Sequence, residues 1–156
     1  MSESNLIRKW VEQLPCPNEP PSAVVDALDE AKLQALLGAA RVAPSADNAQ
    51  TWRFVTVRSD DTKAKLGKAV ESKLADALAK HAVVIAVCGI QWVVTRARRE
   101  QPFVFMDVPI ALSHILLQAA ELGLGCTWTL DVDESVARAA LSIPDDVRVV
   151  ALVGVS

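Results

Sequence analysis

The chain has 156 residues, 51% apolar and 22% charged, with a formal net charge of -3. That length supports one domain with a real core and is too short for two. The charge balance leaves no clustered basic face of the kind that displaces counterions from nucleic acid, and the short run Arg96, Arg98, Arg99 reads as a solvated loop. Cys16, Cys88 and Cys126 are odd in number and widely spaced, so they draw neither a disulfide framework nor a CxxC knuckle. With only His81 and His114 to help, a protein-built zinc site is not expected, and any cofactor should be organic.

The opening MSESNLIRKW has no signal-peptide stretch, and no segment reads as membrane-spanning, so a cytoplasmic protein without membrane or nucleic-acid partners is expected. Residues 1–28 read as a short N-terminal helix and a proline-rich arm, because Leu14 to Pro21 carries four prolines. Residues 29–156 then form the core of a single domain. Leu33, Leu36, Leu37 and Ala40 predict an amphipathic helix between Asp29 and Ala43, ended by Pro44. Trp52 to Arg58 alternates as a one-sided strand should.

From Asp60 to Lys80, Leu66, Val70, Leu74 and Leu78 recur every fourth residue and predict one surface helix with charges on its outer face. Ala82 to Ile90 is a continuous apolar run, expected as a strand covered on both faces, with Cys88 a small core residue. Asp107 to Leu122 is apolar nearly all round the helical wheel, so that helix must be central or shared with a second subunit. Pro109 fits its first turn, Gly123 and Gly125 its end, and His114 reads as a packed or interface histidine. A strand at Cys126 to Leu130, a helix from Asp133 to Leu141 and a strand from Arg148 to Val155 complete the order. Periodicity alone also allows a doubly wound parallel sheet, but Ser59-Asp60-Asp61 stands where such a fold places its glycine-rich turn.

Two segments carry a resemblance. Ala40 to Phe54, AARVAPSADNAQTWRF when read from Ala39, is similar to the AAxxAPSxxNxQPWxF segment of the nitroreductase-like flavin oxidoreductases, and Asp107 through Trp128 resembles their central helix and GLGSxW turn, with Cys126 in place of Ser. The resemblance implies an α+β fold with a mixed, mainly antiparallel sheet flanked by helices, dimerised through the long central helix. It implies flavin mononucleotide (FMN) at the subunit interface, with Ser45 and Asn48 on the ribityl chain or ring edge. Pro44, Ala46 and Gln50 complete that loop, and Gly125, Cys126 and Thr127 approach from the second turn. Neutral donors and acceptors of this kind suit flavin hydroxyls and carbonyls.

The activity implied is an FMN-dependent oxidoreductase that uses reduced nicotinamide, NADH or NADPH, to reduce nitroaromatics, quinones or similar small electron-poor acceptors. The flavin would carry the chemistry, so no acid, base or nucleophile is named. The pattern departs from the family at the phosphate: its arginine-rich N-terminal signature is represented only by Arg8 and Lys9, and the basic C-terminal extension beyond the last strand is not matched. Arg41, Arg53 and the Arg96 to Arg99 run stay open as substitutes. The alternative is a flavin-poor binding protein on the same dimeric scaffold, taking a cobalamin-like or tetrapyrrole molecule.

Overall fold

A computed structural model describes residues 27–91, 93–94 and 101–156. The proline-rich arm and the Arg96 to Arg99 run lie outside the described residues. Helix α1 (Glu30–Arg41) is capped by Asp29, whose carboxylate accepts the Ala31 amide at 2.9 Å. A single 3-10 turn at Ala46–Asn48 leads into strand β1 (Trp52–Val57). Helices α2 (Asp60–Gly67) and α3 (Ser72–Lys80) precede β2 (Val83–Ile90) and a short β3–β4 pairing (Val93–Val94 with Gln101–Pro102). Helix α4 (Val104–Glu121), β5 (Cys126–Thr129), α5 (Glu134–Leu141) and β6 (Val147–Val155) follow.

The main sheet has the order β1-β2-β6-β5, and every neighbouring pair in it is antiparallel. The parallel alternative is therefore excluded, and the α+β architecture stands. Alternation along β2 sends Val83, Ile85 and Val87 into one core with α1 and α4, and Val84, Ala86 and Cys88 into a second core with α2, α3 and α5. The β2–β6 register slips between Val87 and Cys88, which pair with Ala151 and Val149, so Val150 is the extra residue of a bulge. That bulge lets Val150 and Ala151 both face the α1–α4 core.

Three expectations are corrected. The run Asp60 to Lys80 is two helices, because the chain turns at 68–71 to bury Leu66, Ala69 and Leu78 against the sheet. The Ala69 carbonyl freed by the break accepts the Asp133 amide at 2.7 Å. Lys63, expected among surface charges, is buried: its ammonium donates to the His81 carbonyl and to Asp60, both at 3.0 Å. The central helix starts at Val104, which places Pro109 in the second turn rather than the first. A Cβ on Gly89 would lie 2.5 and 2.6 Å from methyls of Val104 and Val108, so only glycine lets the helix start seat on β2 there.

Extended in this way, α4 is long and apolar enough by length and composition to cross a bilayer, where the sequence reading found no such segment. Its residues Val104, Val108, Ala111, Leu112, Ile115 and Ala119 are buried on the sheet side. Met106, Ile110 and Leu117, spaced four and seven residues apart, form an exposed stripe on the opposite side, and Phe105 is exposed beside it.

Candidate functional site

Residues Pro44 to Gln50 form the polar loop between α1 and β1, and its backbone is held in an uncommon shape. Asp47, Asn48 and Gln50 have φ of 50, 55 and 48°, the left-handed region that costs a non-glycine residue about 1–2 kcal/mol. Asp and Asn tolerate it best, because their short side chains can bond locally. Two contacts oppose the strain. The Ser45 hydroxyl accepts the Gln50 amide at 3.0 Å, so the brace of the loop is Ser45 with the Gln50 backbone rather than the Gln50 side chain. The Ala46 amide donates to both carboxylate oxygens of Asp107, at 3.1 and 3.2 Å.

Asp107 is buried in the first turn of α4, so this bond ties the loop to the central helix. The sequence reading passed over Asp107, since a lone acid within a helix looks like solvated surface. Its one local signal is position, at the edge of an otherwise apolar wheel. Asn48 and Gln50 are exposed, while Ser45 and Ala46 are half-buried. Thr51, next in the chain, has a buried hydroxyl with no hydrogen-bond partner among the described residues.

Beside the loop lies a cleft of about 410 Å³ lined by Leu37, Arg41, Gln50, Trp52, Arg53 and Phe54. Arg41 ends α1, and Arg53 is the second residue of the edge strand β1. The Arg53 guanidinium is steadied by donating Nη1 to the carbonyls of Trp52 at 2.7 Å and Gln50 at 3.4 Å. Of the arginines the sequence left open, the structure brings Arg41 and Arg53 to one place. His114 lines a different cleft of about 230 Å³ with Leu117, Gln118 and Glu121, and its Nδ1 lies 3.0 Å from the Ala39 carbonyl. It therefore packs α4 against α1.

The second turn is not brought to the first within one chain. Trp52 pairs with Gly89 at one end of the sheet, whereas Cys126 pairs with Val155, itself opposite Val83, at the other. Strand rise and spacing put the two turns roughly 25 Å apart. Gly125 exchanges both backbone bonds with Ser156, its amide donating at 2.8 Å and its carbonyl accepting at 3.1 Å. Cys126 and Thr127 are buried, and burial pushes the Cys126 thiol up to about 12. The Cys88 thiol is likewise raised to about 12, by burial and then by Glu134, as a core residue should be. Thr127 instead meets His81, whose Nε2 lies 2.9 Å from its hydroxyl, with Ser156 Oγ 2.9 Å from Nδ1.

Helices covering both faces of an antiparallel sheet, with a braced polar loop beside a basic cleft, define an α+β scaffold of the nitroreductase-like class. The profile of the Nitroreductase family matches residues 25–155, and the chain belongs to that family of oxidoreductases. A protein of Archaeoglobus fulgidus that carries the name NADH dehydrogenase/NAD(P)H nitroreductase is 27% identical over 130 residues, 81% of this chain and 72% of that one. A like-named protein of Methanothermobacter thermautotrophicus is 33% identical over 123 residues, of which the chain spans 61%. The solved structure of a nitroreductase family protein from Clostridium novyi superposes with a TM-score of 0.82 at 27% identity, covering 100% of this chain and 84% of that one.

Proposed function

We propose that the protein is an FMN-dependent oxidoreductase, taking electrons from reduced nicotinamide and passing them to a nitroaromatic, a quinone or a similar small electron-poor acceptor. The observation that carries this reading is the Ser45 to Gln50 loop, held in a left-handed course by Ser45 and Asp107 beside an aromatic and cationic cleft. Its donor set fits flavin: neutral amides and hydroxyls for the ring and ribityl groups, and guanidinium for a phosphate. When bound, the flavin supplies the two-electron redox chemistry. The chain's own residues bind and orient it, with Ser45 and Asn48 as the neutral contacts and Pro44, Ala46 and Gln50 setting the loop's path. None is assigned a proton-transfer role.

The reading includes a homodimer packed through the exposed stripe of α4, since Met106, Ile110 and Leu117 form an apolar face opposite the core. In that assembly the turn after α4 serves the partner's site, Gly125 at its surface and Cys126 and Thr127 from beneath. A cytoplasmic setting completes the proposal. The scaffold alternative drew its support from an absent phosphate grip, which the paired arginines of the cleft weaken.

Two measurements test the proposal. Purified protein should be yellow, or should quench FMN fluorescence on titration; a colourless protein indifferent to added FMN sinks the flavin reading. Sedimentation should show a dimer that Ile110→Glu or Leu117→Glu converts to a monomer, because each places an unpaired charge within an apolar contact. A wild-type monomer at micromolar concentration would refute the dimer.

A further inference from the structure

The described arginines divide into two groups. Arg58, Arg138 and Arg148 each pair with a carboxylate, of Glu30, Asp145 and Glu134 respectively, at 2.8, 3.1 and 2.7 Å. Arg41 and Arg53 have no carboxylate partner among the described residues, and they are the two that line the same cleft. That cleft also differs from its neighbours in sign. The groove of about 250 Å³ beside α3 contains Glu71 and Asp131, the one of about 470 Å³ at the α2–α3 break adds Asp133, and the His114 cleft contains Glu121. Of these four clefts, the one between α1 and β1 alone is lined by cations without an acid. In a chain of net charge -3, two guanidiniums left uncompensated at one concavity form a local anion site.

Arg53 is also ordered in advance. Its Nη1 is committed to the Trp52 and Gln50 carbonyls, which fixes the plane while its other N–H groups have no protein acceptor among the described residues. Gln50 belongs to both the loop and the cleft, so the cationic site adjoins the segment assigned to the flavin's neutral groups. We propose that Arg41 and Arg53 hold the phosphate monoester of FMN. The proposal rests on the flavin reading of the loop. The shared chemistry is a phosphate monoester dianion, which the 2'-phosphate of NADP(H) also carries, and the loop's continuity with the cleft favours the flavin as its source.

The test compares FMN with riboflavin, which lacks the phosphate, by fluorescence quenching at low salt on wild type, Arg41→Gln, Arg53→Gln and the double variant. Wild type should bind FMN at least about tenfold more tightly than riboflavin, a preference that falls with each substitution and nearly vanishes in the double variant. Riboflavin affinity should stay constant across the set, which shows that the loop is intact; Arg41→Gln, with no backbone bond to lose, is the cleaner variant. Inorganic phosphate should compete with FMN and not with riboflavin. An FMN preference that survives in the double variant overturns the proposal and leaves the flavin reading standing. So does a loss confined to NADP+ binding, which would give the site to the nicotinamide. Failure of wild type to bind either flavin overturns the reading itself, and this proposal with it.

Discussion

Lowering the pH from 7.5 to 4.5 should strip roughly 2 to 3 kcal/mol from the folding stability of the wild type, and much less from His81→Gln. His81 is buried between Ser156 and Thr127, with Lys63 bonded to its carbonyl. Burial, and then the charge of Lys63, lower its pKa from 6.5 to about 4. The sign follows from proton counts. Between pH 6.5 and 4 the unfolded chain binds a proton at His81 that the folded chain does not, so the stabilisation is complete above 6.5 and drains away as pH falls toward 4. A neutral imidazole can donate through one nitrogen and accept through the other, which two hydroxyls satisfy.

Carboxylates enter only lower in the range. Arg148's hydrogen bond to Glu134 and Ser135's hydroxyl at Asp133 hold those acids below their usual values, so their contributions are lost only below about pH 4.5. Urea midpoints read at half-unit steps would therefore isolate the histidine between 6.5 and 4.5. Parallel curves for wild type and His81→Gln across that interval would show that the ring is charged in the fold.

Periodicity made much of the fold legible. Leu33, Leu36, Leu37 and Ala40 do occupy the buried side of α1, and the run expected from Ala82 to Ile90 is a strand, Val83–Ile90, covered on both faces. The break between α2 and α3 was hidden because Leu66, Val70, Leu74 and Leu78 keep four-residue spacing straight through it. Spacing records which side faces the core, not whether the backbone bonds continue. The burial of Lys63 was hidden for a related reason: its acceptor is a main-chain carbonyl, which no side-chain pattern encodes. Strand direction was legible only through the resemblance, since alternating helices and strands fit parallel and antiparallel sheets alike.

At the candidate site, the Pro44 to Gln50 loop was readable from its turn chemistry, and the pairing of Arg41 with Arg53 was not. They are twelve positions apart and meet only because α1 folds back beside the edge of β1. The turn at Gly123 was readable as a helix end, and its φ of 67° confirms glycine's role there. What followed it was not: Cys126 and Thr127 are carried inward by their register against Val155 and Gly154, a long-range pairing without local signature.

Asp107→Ala should weaken FMN binding by about 10- to 100-fold, the range expected for loss of a hydrogen bond to a charged group, while Asp107→Asn should stay within a few-fold of wild type. The loop holds three non-glycine residues in the left-handed region, a shape that persists only while something outside the loop over-determines it. Ser45 closes the loop on itself, and the Asp107 carboxylate, through the Ala46 amide, is the one hydrogen-bonding side chain among the described residues that fastens it to α4. Alanine removes both acceptors and lets the segment relax toward ordinary backbone angles, so the ordering that flavin finds ready-made must be supplied from its binding energy. Asparagine keeps one acceptor in place. Amide hydrogen exchange gives a readout independent of any cofactor: protection at Ala46 and Asn48 should collapse in Asp107→Ala and survive in Asp107→Asn, with the rest of α4 unchanged. Unaltered protection in the alanine variant would mean that the loop's shape is intrinsic, and that the central helix has no part in presenting the site.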